Sequence, residues 1–155
     1  MQALLETREE VCLSMNQAQK SLQNARILHI VFLFASIAYA VVAYYVRQAA
    51  RSEVQLTVVA AIGMAAIGFL GIATFFRTKF VEPGAEALRN NADDAVAASQ
   101  WRTGTIVSLA FAETVAMFGM VARFVGTPWK FSGIFFVVGI LVLLAWTPRL
   151  DLAPR

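Results

Sequence analysis

The chain has 155 residues, of which 59% are hydrophobic and 15% charged, with a formal net charge of +3. That balance excludes an ordinary water-soluble domain of this size, and a mean hydropathy of +0.64 points to a membrane protein. The positive charge flanks apolar runs without a basic stripe or aromatic platform, so nucleic-acid binding has no support.

Residues 1–26 place Leu4, Val11, Met15, Ala18, Leu22 and Ala25 at helical spacing among Glu, Gln, Asn and Lys, which predicts an amphipathic helix. Such a helix lies in the headgroup plane, packs on another copy, or continues the first crossing into the cytoplasm, the surface-lying form being the commonest. Its polar character, Glu6, Glu9 and Glu10 included, argues against a removable signal peptide. The lone cysteine, Cys12, excludes an intramolecular disulfide and reads as a small apolar filler.

Residues 27–155 form the expected membrane domain, in an all-α fold. Apolar residues dominate four segments, about 27–46, 54–76, 104–125 and 128–147, interrupted by charge only at Glu113, Arg123 and Lys130, each near the roughly 20 residues that cross a bilayer as a helix. Within the second, Ala61, Ala65 and Gly68 form a small-residue face suited to close helix packing. Between the second and third lies a polar connection, 77–102, where Pro83-Gly84 and Asn90-Asn91 signal turns. Asp93 or Asp94 is placed to cap a short helix, 95–101, that runs into the third span.

Trp101, Trp129 and Trp146 fall at predicted helix ends, as an interfacial aromatic belt requires, and Tyr39, Tyr44 and Tyr45 read as packing and belt residues. His29, alone at the membrane edge, reads as an interfacial anchor before a metal or haem ligand. Nine of the thirteen Lys and Arg residues fall in the N-terminal segment, the 77–102 connection and the C-terminal tail. The positive-inside rule then places both termini in the cytoplasm, as in a bacterial inner-membrane protein. A weak internal repeat, offset by about 76 residues, aligns Arg26 with Arg102 and Arg47 with Arg123, and sets Ser36 where Glu113 stands in the second half.

Glu113 is the sharpest feature. It stands in the middle of the third span, with no other acidic or basic residue between Arg102 and Arg123. A carboxylate at mid-bilayer costs about 2.5–3.5 kcal/mol, so such residues are candidates for proton, ion or substrate sites. Arg123 lies ten positions on, about 15 Å along the axis, too far to pair with it. Low dielectric favours the uncharged form of a carboxyl, which donates a hydrogen bond and is suited to carry a proton. On the same helix Thr105, Ser108, Ala112, Ala116, Gly119 and Arg123 form a small or polar stripe predicted to face protein, with Glu113 a quarter turn away at its edge.

The run Phe111-Ala112-Glu113-Thr114-Val115-Ala116-Met117-Phe118-Gly119-Met120-Val121-Ala122 resembles the ion-carrying helix of the proteolipid, or c, subunits of rotary ATPases. In that family an Ala-Glu pair is followed five and six residues after the Glu by an aromatic residue and a glycine, here Phe118 and Gly119. The resemblance implies Glu113 as the proton-binding carboxylate. It extends to the duplicated-hairpin layout of the vacuolar-type members, in which one half lacks the carboxylate, as Ser36 suggests here.

No Ser/His/Asp constellation, phosphate loop or zinc spacing occurs, so neither an enzyme nor a cofactor or metal is expected. The expectation is a proton-binding or proton-translocating helical-bundle subunit that uses Glu113, with Ser108, Ala112, Ala116, Phe118 and Gly119 as its supporting seam. Its partners are the lipid bilayer and further copies or other membrane subunits. The alternative is a non-catalytic accessory or assembly subunit of a larger complex, in which the carboxylate serves helix packing. A small transporter or channel would need several copies to line a path.

Overall fold

The computed structural model describes residues 2–45, 56–91 and 94–149 and is helical almost throughout. The elements are α1 (Gln2–Tyr45), α2 (Leu56–Phe76), a π turn (Arg77–Val81), α3 (Glu82–Asn90), α4 (Ala95–Phe124) and α5 (Trp129–Ala145). Three stretches, Ser21–Tyr45, Thr57–Asn90 and Ala95–Phe124, are long and apolar enough to cross a membrane. The fourth apolar helix, α5, has 17 residues and spans about 25 Å, the lower limit for a crossing.

The N-terminal segment is not a separate surface helix. It is the first half of α1, which runs unbroken for 44 residues into the first apolar span. Nothing in residues 20–30 breaks it: there is no Gly or Pro, and Ala25 and Leu28 are good helix formers.

The polar connection 77–102 is largely helical as well. Pro83 does not make a turn. It sits in the first turn of α3, where its missing N–H removes no bond the helix needs, and the widened π turn lies just before it. Asn90-Asn91 does end a helix, with Asn91 extended. Asp94 then caps α4, its carboxylate accepting from the N–H groups of Val96 and Ala97 at 2.9 and 3.0 Å. Asp93, the other candidate cap, and Val54, near the expected start of the second span, lie outside the described residues.

α4 is the hub, contacting α1, α2, α3, α5 and the π turn. Of the residues in its apolar stretch 44% are buried, against 11% for α2. α1 and α4 run parallel: Ala25 packs with Trp101, Phe32 and Leu33 with Leu109 and Ala112, and Ala43 with Ala116. The offset of about 76 residues seen in the sequence is therefore close to the register in which these two helices lie side by side.

α5 returns antiparallel through a tight turn. Gly126 adopts φ 93°, while its N–H bonds the Arg123 carbonyl and the Thr127 N–H bonds that of Ala122, a Schellman ending closed by Pro128. Contact between α4 and α5 is backbone-close. A Cβ on Gly139 would stand 2.9 Å from the Ala116 nitrogen, and one on Gly119 3.0 Å from the Ser132 carbonyl oxygen. α2 packs on the other flank of α4 through Ala66, Phe69, Ala73 and Phe76, with Phe69 against Phe111 and Phe118 at ring separations of 5.4 Å.

Two single-residue expectations change. Trp101 is no interfacial anchor: it is 1% exposed, the centre of a cluster with Ala25, Leu88 and Ala97. Gly84 of α3 lies so close that its Cβ would meet the Trp101 backbone nitrogen at 3.0 Å, so the missing side chain lets α3 pack tightly on the start of α4. His29 is also buried, and its Nε2 is 2.8 Å from the Leu143 carbonyl oxygen. As the Nε2–H donor it closes one of the last carbonyls of α5, which have no partner within their own helix.

Candidate functional site

The predicted stripe of α4 is the buried face of the helix. Thr105, Ser108, Ala112, Ala116 and Gly119 are all buried against α1 and α5, and Arg123 is half-buried at its far end. Phe118 stands apart from the other seam residues, on the α2 side of α4 against Phe69. Ser108 donates to the Thr105 carbonyl at 3.0 Å, and Thr114 to that of Ala110 at 2.9 Å, so both hydroxyls are satisfied within the helix.

Glu113 is half-buried at the edge of this stripe, beside α1. Round the helix from it come Ile106, Ala110, Met117, Val121 and Phe124, of which Met117, Val121 and Phe124 are exposed. Among the described residues α1 and α2 flank α4 without substantial contact with each other, which leaves that sector open. Glu113 therefore borders both a protein seam and an uncovered apolar face.

Its partner comes from α1. The Tyr39 hydroxyl faces the Glu113 carboxyl closely enough for the two to interact, the O–H being the natural donor of the pair. Tyr39 is held by the cluster of Ala43, Ala116 and Phe136. One turn earlier on the same face, Ser36 is fully buried and its Oγ has no hydrogen-bond partner. An orphaned buried hydroxyl costs about 1–3 kcal/mol, and Thr105, about three turns nearer the start of α4 than Ala116, carries the other one in the seam.

The sequence reading gave Tyr39 only a packing role, because the pairing depends on the register of two separate helices. A signal was present nonetheless. Ala25, His29, Phe32, Ser36, Tyr39 and Ala43 repeat at spacings of four and three, and all are buried or half-buried. Among the described residues this stripe carries His29, Ser36 and Tyr39, the polar side chains that the apolar half of α1 buries or half-buries.

Arg123 is remote from Glu113 and has a different task. Its Nε donates to the Ala43 carbonyl at 3.1 Å and one terminal nitrogen to the Thr127 carbonyl at 3.4 Å, closing the end of α1 and the α4–α5 turn. Among the described residues no three His, Cys, Asp or Glu side chains are grouped to hold a metal ion.

The fold and site together define a class: an all-helical bundle with spans of membrane-crossing length and one carboxyl at the middle of its hub helix. No family model matches the chain, and neither curated proteins nor solved structures give a match.

Proposed function

We propose that the chain is a multi-pass membrane protein of bacterial inner-membrane type that takes up and releases a proton at Glu113. Both termini are cytoplasmic and α5 serves as a fourth crossing. The observation that carries the reading is the position of Glu113: facing Tyr39 of α1 on one side and bordering the uncovered sector of α4 on the other. A carboxyl used only to cement packing is better placed inside the α1–α4–α5 seam, where Ser108 and Ala112 are. A carboxyl at the rim can turn from the tyrosine toward a partner on the open face. The charge pattern supports the orientation, since Arg26, Arg77, Lys79, Arg89, Arg102 and Arg149 gather at the Trp101 end.

The test is carbodiimide labelling of the full chain in membranes. Wild type is expected to label at Glu113, and Glu113→Gln to lose the label while inserting and assembling normally. Tyr39→Phe frees the carboxyl from α1 and speeds labelling roughly threefold, the factor given by about 0.6 kcal/mol for an interhelical hydrogen bond in lipid. A Glu113→Gln protein that inserts poorly or falls apart favours the packing role instead. That second reading, an accessory subunit docking on other membrane proteins, draws on the exposed face of α2, where Gly63, Gly68 and Gly71 have nothing within 4 Å of a built Cβ.

A further inference from the structure

At the Trp101 end a cleft of about 340 Å³ lies between the π turn, the start of α4 and the end of α5. Its lining includes Arg77, Trp101, Thr105, Trp146 and Arg149, and none of its described lining residues is acidic. The Arg77 guanidinium sits over the Trp146 ring, 5.3 Å from the centroid, which orients its planar fork. Thr105, 4% exposed, lines the same cleft, and its hydroxyl has no hydrogen-bond partner.

We propose that this cleft binds the phosphate group of an anionic phospholipid. Two guanidiniums supply bidentate, charge-assisted donors of the kind that select phosphate. Thr105 supplies a neutral donor that is otherwise unsatisfied. Of the C-terminal carbonyls of α5, which would repel an anion, three are already occupied: Val142 accepts from the Trp146 N–H, Leu143 from His29, and Leu144 from the Thr147 hydroxyl. In the orientation proposed above, basic clefts between spanning helices near the cytoplasmic boundary are suited to lipid headgroups, and the exposed Leu144, Leu141 and Val137 continue from the cleft along α5 for the acyl chains. The site is independent of what Glu113 does.

The full chain is purified in neutral detergent and titrated with phosphatidylglycerol, phosphatidylcholine or inorganic phosphate while thermal unfolding is followed. Phosphatidylglycerol is expected to raise Tm saturably and phosphatidylcholine to leave it unchanged. In Arg77→Gln/Arg149→Gln the apparent affinity for phosphatidylglycerol falls by roughly tenfold or more, the scale of a charged hydrogen bond lost. Because Arg77 also stacks on Trp146, the exposed Arg149→Gln alone provides a variant whose fold is undisturbed, and its affinity falls severalfold. Arg102→Gln, at the same end but outside this cleft, leaves affinity unchanged. An equal rise with inorganic phosphate, lost in the same variants, keeps the phosphate site and overturns the lipid as its source. Unaltered affinity in Arg149→Gln, an equal loss in Arg102→Gln, or no response to either phosphate source overturns the proposal.

Discussion

α2 and α4 carry the same kind of sequence, alanines and glycines at helical spacing in an apolar run, and they are used in opposite ways. On α4 the small residues are the contact: Ala116 and Gly119 admit the backbone of α5, and Gly104 admits the π turn. On α2 the contact is made by Phe69 and Phe76 together with Ala66 and Ala73 on the same face, while Ala61, Gly68 and Gly71 face outward. Small residues permit close approach in lipid but do not compel it. Large side chains settled which face of α2 docks, because the rings of Phe111 and Phe118 on α4 offered more contact area than a bare backbone groove.

The comparison yields four expected outcomes, each read as a change in thermal or denaturant stability of the detergent-solubilised chain. Gly104→Leu has the largest effect, since even a Cβ there would stand 2.7 Å from that of Phe80; a loss of roughly 3 kcal/mol is expected. Phe69→Ala removes the ring between Phe111 and Phe118 and costs roughly 2 kcal/mol, less than a fully buried ring because Phe69 is half-buried. Proteolysis of the α2–α3 region should rise with it. His29→Ala leaves the Leu143 carbonyl open within the bundle and costs about 1–2 kcal/mol. Gly68→Ala is the smallest and of opposite sign: with open space around it, a gain of up to about 1 kcal/mol from helix propensity is expected. A loss at Gly68→Ala equal to that at Gly104 would show that the α2 face is in contact after all.

Much of this architecture is written in local pattern. The stripe from Thr105 to Gly119 announced the buried face of α4 because a helix repeats every three to four residues and buried faces are small or apolar. Asp94 announced its own cap for the same local reason. Pro83-Gly84 misled, since the same dipeptide that makes a turn in a loop starts a helix when the glycine can lie against a neighbouring backbone, and only the tertiary contact with Trp101 decides. Trp101 misled likewise, because a helix end at a membrane surface and a helix end under a covering helix look alike in one dimension. Tyr39 as the partner of Glu113 was not legible for a different reason: it requires the parallel register of α1 and α4, a long-range property that no short window contains.

The ends of the helices are closed by their neighbours. His29 of α1 closes the end of α5, and Arg123 of α4 closes the end of α1. Withdrawing α1 therefore uncaps α5, and withdrawing α4 uncaps α1, so each departure raises the cost of the next state as well as losing its own packing. Such reciprocity turns three helices into one cooperative unit of unfolding, whereas α2, held by an aromatic ridge, is free to separate first.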